Sequence, residues 1–532
     1  NAQHLLNQAK ATWVKEQEHR KYWEVVTWDE LQSQIWAAEA RLLATFGKLE
    51  AGEALYRKAL ENFRQHKDVP NDGERILIPK LNLRVHLRHL YLLGNNLIHQ
   101  GRPLEAEIIW REMISESVKG FGRYSNVTAA ATTGFARTLL EQGRFDEAGT
   151  LADTTLEIWR AIEAPINSFA LQKTYQLLAD ILVLREDWEG ASNLYAYLET
   201  ALGDDPMAEE RLLNQNPSYA LTLFRSNRVE RARIVLEQAY TVKREALGYQ
   251  HPEVAELGAL LAVMENAEGE HQQSLLRFRE TVPILLSRAQ RSRDDDTLGM
   301  VHEARLALVL EQYIGLLADL HTEAPTSTLS QEYLSKAFEL ADHARGRTVQ
   351  GALDKSSARA AVKDPALAQL MRREQDALQQ ISAMRGSLSD HLSQPSDEQD
   401  PGVVEDLKTA INQLSQARSA LMEEIEANFP DYAELINPTA PSLAQARSVL
   451  LPDEALLAFF VGRERSFVWV VSKTGAPAFI AIELGADELG GQVDEVRLAL
   501  APNASTLWDI PPFDLGIAYE LYQQLLEPVA SA

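Results

Sequence analysis

"GRFDEA", residues 143–148, is a turn running into a helix, and weaker copies of it return along the chain: "GKLEAG" at 47–52, "GRPLEA" at 101–106 and "NRVERA" at 227–232. Taking the glycine of GRFDEA as reference, the equivalent position holds Gly101, Gly143, Glu186, Asn227 and Gly269, at spacings of 42, 43, 41 and 42 residues. Five residues on stand Ala106, Ala148, Ala191, Ala232 and Ser274, and seven residues before stand Gly94, Ala136, Ala179, Ala220 and Ala262. Small residues in both places have one physical meaning. Two antiparallel helices cross there, and a larger side chain would hold their backbones apart. Bulky residues flank the crossing: Leu97, Leu139, Leu182 and Leu223 on the first helix, and Trp110, Tyr195, Leu236 and Phe278 on the second.

The pattern resembles the tetratricopeptide repeat, a helix–turn–helix unit of about 34 residues in its basic form. A period near 42, with "ALGYQHPEVA" (246–255) between units, looks like the longer kinesin-light-chain variety, in which His251-Pro252 opens the next helix. An earlier unit fits through Trp36, Ala40, Leu43, Gly47, Gly52, Tyr56 and Ala59, with "KDVPNDGERILIP" (67–79) supplying an enlarged loop. The unit around Gly269 is degenerate, with Glu265 where Leu is expected, and a seventh, irregular pair is expected over 301–349.

The resemblance implies a right-handed superhelix whose first helices line a concave groove for peptides or protein segments. The groove-facing positions are Arg88, Tyr91, Asn95, Arg137, Lys173, Gln176 and Asp180. Arg88, Arg137 and Lys173 form a basic cluster in an acidic chain, suited to clamping an acidic peptide or a C-terminal carboxylate. The alternative is that these charges are solvated or paired within the chain.

The bulk composition narrows the functional classes. Lys plus Arg total 52 against 77 Asp plus Glu, a net charge of −25 over 532 residues, which repels nucleic acid and anionic lipid. No run approaches the ~18 apolar residues of a membrane span. No signal peptide is visible, and a cytoplasmic location is expected. The chain opens on Asn1, so its true start is expected to have been removed. Cysteine is absent, which excludes disulfides, thiolate metal sites and a Cys nucleophile within these residues.

Past "ELADHARGRTVQGAL" (339–353), Leu367, Met371, Leu378, Ile381, Leu388 and Leu392 predict one long helix, and Leu407, Ile411, Leu414, Leu421 and Ile425 a second. "SQPSDEQDPG" (393–402) suits the tip between them. Folding this hairpin about residue 396 sets Glu374 opposite Arg418, whereas Arg385 has no obvious partner. "EALLAFFVG" (454–462), "SFVWVVS" (466–472) and "APAFIAIEL" (476–484) then read as an antiparallel meander, followed by helices at about 486–500 and 515–528. The fold class is therefore mainly α: a repeat array over 1–353, a helical hairpin over 354–430 and a small α/β segment over 431–532.

The order of these parts resembles bacterial tetratricopeptide–CHAT proteins, whose CHAT domain is a caspase-like cysteine peptidase. The resemblance is carried by "ADHARGRTVQGAL", "NFPDYAELINP" (428–438), "LLPDEALLAFFVGRERSFVWVVS" and "AYELYQQLLEPV", with 431–532 as the first part of the CHAT domain. It implies a partner-recognising arm that regulates an attached endopeptidase acting on a protein substrate. No position here matches the family's catalytic His and Cys, so the catalytic half is expected outside this chain. The competing reading is a non-enzymatic scaffold.

Other motifs carry less. His86 and His89 in "HLRHL" could pair on a metal but have no third ligand nearby, and core or surface histidines are expected. "HEARL" (302–306) has Leu306 where a zinc-protease helix needs its second His. "DDD" (294–296) reads as a helix start, and "GFGRYS" (120–125) joins two helices rather than following a strand. No motif implies a cofactor, a metal or a small-ligand sensor.

Overall fold

The computed structural model describes residues 6–8, 10–11, 25–45, 48–65, 78–203, 205–293, 300–323, 327–345, 365–393, 400–429, 441–500 and 511–530. Seven helix pairs follow one another: α1 (Val25–Thr45) with α2 (Leu49–Gln65), α3 (Ile78–His99) with α4 (Pro103–Phe121), α5 (Asn126–Glu141) with α6 (Phe145–Ala161), and α7 (Phe169–Leu184) with α8 (Trp188–Leu202). After a short α9 (Pro206–Leu212) come α10 (Pro217–Arg225) with α11 (Val229–Leu247), α12 (Pro252–Ala267) with α13 (His271–Arg293), and α14 (Met300–Glu323) with α15 (Thr328–Arg345). The enlarged loop expected at 67–79 and the acidic start at 294–296 fall on residues outside those described, except that α3 takes in its last two positions.

All five reference positions have a left-handed backbone: φ is 71° at Gly101, 77° at Gly143, 60° at Glu186, 60° at Asn227 and 82° at Gly269. At each, the next residue's N–H returns to a carbonyl five residues back, as in Arg102 to Leu97 and Asp187 to Leu182, both 2.9 Å. This closes the first helix and turns the chain into the second. Glycine accepts the conformation freely and asparagine tolerates it; Glu186 bears a steric cost of about 1–2 kcal/mol. His251 caps α12 as expected, its Nδ1 accepting from the Glu253 N–H at 3.2 Å.

The small positions do what their size allows. Ala106, Ala136, Ala148, Ala179, Ala191, Ala220, Ala232, Ala262 and Ser274 are all fully buried. A tight crossing surrounds Trp110, whose indole lies against two glycines on different helices. A Cβ on Gly94 would sit 2.6 Å from Trp110 Cε2, and one on Gly134 would sit 2.5 Å from its Cη2. Gly94 was legible as a repeat position; Gly134 lies outside the register and was not.

The chain divides into two compact units, Asn1–Glu270 with Arg279–Leu306 and Ile381–Asn412, and His271–Phe278 with Ala307–Gln380 and Gln413–Ala532. The first carries most of the helix pairs. Of helices α16 (Pro365–Ser393) and α17 (Pro401–Asn428), the parts that belong to the second unit pack through Leu367, Leu370, Leu421 and Ile425. Arg418 Nε donates to Glu374 Oε1 at 2.8 Å, as the hairpin register predicts, with side chains only 10% and 16% exposed. The pair is thus sequestered rather than lying on open surface. Arg385's side chain lies outside the described residues.

After α18 (Leu443–Val449), strands β1 (Ala455–Val461), β2 (Ser466–Ser472) and β3 (Ala478–Ile482) form an antiparallel sheet in the order β1-β2-β3. The central strand is buried on both faces. Val468 and Val470 point into a cluster with Ile482, Leu484, Leu489 and Val529. On the other face Trp469 stacks on Phe479, meets Phe338 of α15 edge-on and donates its Nε1–H to the Leu334 carbonyl at 3.3 Å. The β1–β2 turn is fastened to α14: Glu311 accepts from the Arg463 N–H at 2.6 Å, and Arg465 grips Asp319 at 2.9 and 3.2 Å. Helices α19 (Ala486–Leu500) and α20 (Leu515–Leu525) follow where the sequence placed them. They are sparsely covered: Leu489 is the one buried residue of α19, and α20 has none.

Candidate functional site

Within the first unit a cavity of about 430 Å³ opens among the first helices of successive pairs. Tyr91 and Asn95 of α3, Arg137 of α5, and Lys173 and Gln176 of α7 all line it. Their common placement follows from helical spacing: each set lies on one stripe of its helix, and the pair crossings aim those stripes the same way. Arg88, one turn earlier on α3, is exposed and lies outside the lining. Five of the seven expected residues therefore meet at one site, and Arg88 and the buried Asp180 lie outside its lining.

The predicted basic cluster is partly neutralised. Arg137 pairs with the buried Asp180 and lies 3.8 Å from Glu141 Oε1, so its charge is committed within the chain. Lys173 differs. Its Nζ stands 3.4 Å from the Tyr91 hydroxyl and 4.9 Å from the Phe169 ring centre, and no carboxylate pairs with it among the described residues. Asn95 donates to the Tyr91 carbonyl at 2.7 Å, which fixes its amide against α3.

Three further groups reach the cavity from positions that the repeat register did not mark. Lys243 of α11 pairs with Glu253 of α12 at 2.8 Å. Glu256 of α12 holds His302 at 2.5 Å and Arg305 at 2.8 Å, both from α14, and Arg305 also donates to Ser218. Burial pushes the Glu256 carboxyl up, but His302 and Arg305 outweigh it and hold its pKa well below the usual carboxylate range. Arg288 of α13 lines the cavity with no ion pair or hydrogen bond among the described residues.

His99, a turn past Asn95 on the same stripe, also belongs to the lining. The crowding protein around it lowers its pKa, and Arg137, Lys243 and His302 push the same way against Glu253. His99 and Glu141 could have been found by extending the stripes Tyr91–Asn95 and Arg137 by one turn. Arg288, His302 and Arg305 could not, because they come from the irregular pair and its approach. His86 and His89 are buried in the second pair's core, away from this lining; burial, with His86 and Arg88 adding, lowers the His89 pKa to about 4.

Residues 220–253 match the family model described as tetratricopeptide repeat, a span that starts on the small Ala220 of α10 and runs through α11. The α10–α11 pair is thus similar to a tetratricopeptide repeat, a unit that in general serves protein interaction. No curated protein matches the chain. A solved structure described as "Circular tandem repeat protein with novel repeat topology and enhanced subunit contact surfaces" is similar at 13% identity, covering 75% of this chain and 99% of its own, with a TM-score of 0.17. A score that low supports no structural equivalence. Among the described residues no helix is long and apolar enough to cross a membrane.

Proposed function

We propose that the chain is the recognition arm of a bacterial, cytoplasmic CHAT-type caspase-like endopeptidase, and that an acidic segment of a partner protein seats in the cavity on the first helices. The observation that carries this reading is the cavity itself. A chain of net charge −25 places Lys173 and Arg288, neither paired with a carboxylate among the described residues, at one opening, and charge of that sign favours and steers an acidic partner. Tyr91, Asn95 and Gln176 supply the polar contacts that fix its orientation. Arg88 contributes from outside the cavity.

Residues 431–532 fit the proposal as the first part of the CHAT fold. Support comes from α19 and α20, which leave Leu498, Leu500, Leu515, Tyr519 and Tyr522 exposed and so offer apolar surface for further structure to cover. A thiolate nucleophile would lie outside these cysteine-free residues. The encoding reading frame tests this half: a His and then a Cys on strand-forming stretches past position 532 support it, and a stop codon there leaves the scaffold reading.

The binding half is tested by selecting short random peptides on the immobilised chain. Wild type should enrich Asp- and Glu-rich peptides, Lys173→Glu should lose them, and Arg88→Glu should weaken them only partly. Arg137 is a poor probe, since its loss would strand the buried Asp180. Enrichment without acidic bias, or undiminished by Lys173→Glu, would overturn the assignment.

A further inference from the structure

Five basic side chains line the cavity, Arg137, Lys173, Lys243, Arg288 and Arg305, against the lining carboxylates Glu141, Glu253 and Glu256. Arg137 is matched by Asp180 and Glu141, Lys243 by Glu253, and Arg305 by Glu256. That leaves Lys173 on α7 and Arg288 on α13, both half-buried and both without a carboxylate partner among the described residues. Each lacks a counter-charge in a concave, partly dehydrated opening, and a bound anion would supply one.

The size of the opening narrows what that counter-ion is. About 430 Å³ lies within the range of small-ligand sites, ~300–1,000 Å³. Neutral donors stand beside the cations: the Tyr91 hydroxyl lies 3.4 Å from Lys173 Nζ, and Gln176 makes no hydrogen bond among the described residues.

We propose that this cavity binds a compact small-molecule anion carrying two or more negative charges, of the oligophosphate or polycarboxylate class, held by Lys173 and Arg288. This goes beyond the partner-binding reading and does not require it. Where both hold, the anion competes with an acidic partner segment for Lys173 and sets when the arm is free.

Titration calorimetry on the 1–532 chain, with pyrophosphate and citrate in separate arms and chloride as control, tests it. At least one of the two anions should bind with Kd below about 1 mM, and the stronger arm identifies the class. Lys173→Met with Arg288→Gln should weaken binding at least about tenfold while leaving the ligand-free melting curve unchanged. Gln176→Glu, which places a carboxylate in the lining, should do the same and serves if the double variant folds poorly. No heat with either anion, or equal affinity in the variants, overturns the proposal. If acidic peptides bind and neither anion does, the partner reading stands and this one falls; the converse result separates them the other way.

Discussion

Trp110 and Leu515 are both large apolar residues on helices, and their surroundings are opposite. Trp110 is fully buried, with Gly94 on one side and Gly134 on the other, whereas Leu515 opens α20 at 76% exposure. Around Trp110 the bulky residue comes with the small residues that make room for it, on its own pair and on the next. On α19 and α20 the apolar residues have no such counterparts among the described residues. The contrast separates surface that is finished from surface that fits the proposal of further CHAT structure.

The largest expected effect probes the finished side. Trp110→Ala should cost about 3–5 kcal/mol in urea unfolding, since it empties a site walled by two helices, while Leu515→Ala should stay within about 0.5 kcal/mol. Comparable losses at both positions would break the comparison. Next comes the hairpin, where Arg418→Met should cost about 2–3 kcal/mol by leaving Glu374 sequestered and unpaired. Adding Glu374→Leu should recover much of that loss, and a double variant no more stable than the single one would contradict a specific pair.

His89 ties the array's core to pH. Its folded pKa of about 4 lies below the usual 6.5, so the folded state resists a proton that the unfolded chain accepts. Stability is therefore full above the unfolded value and falls as the pH drops from 6.5 towards 4. Between about pH 7 and pH 5 the wild type should lose about 2 kcal/mol more than His89→Gln, read as the difference between their urea midpoints. A smaller gain is expected at a turn: Glu186→Gly should add about 1 kcal/mol, because its left-handed backbone suits glycine. A neutral or destabilising result would mean that the Glu186 side chain contributes contacts worth its strain.

These cases also mark how far the sequence could be read. The turns, the small positions, the Glu374–Arg418 pairing and the three strands were legible because each rests on a local rule: a left-handed residue, a close crossing, a seam register, a period of two. Gly134 escaped because Trp110 reaches past its own pair to α5, at a position the register does not mark. The cavity escaped in part for the same reason. Its stripes on α3, α5 and α7 repeat, whereas Arg288 and His302 are placed by the irregular seventh pair and the helix before it, which no period announces. Nor could the sequence show that Asp180 takes up the charge of Arg137, since both were read as facing an open groove.

The central claim is that recognition happens on the first helices and not on the open face of α19 and α20. Hydrogen–deuterium exchange on the chain, with and without an acidic peptide selected as above, tests it most directly. The account predicts slowed exchange in α3, α5 and α7 around Tyr91, Arg137 and Lys173, with α19 and α20 unchanged. Protection confined to α19 and α20, with α3, α5 and α7 unaffected, would contradict it.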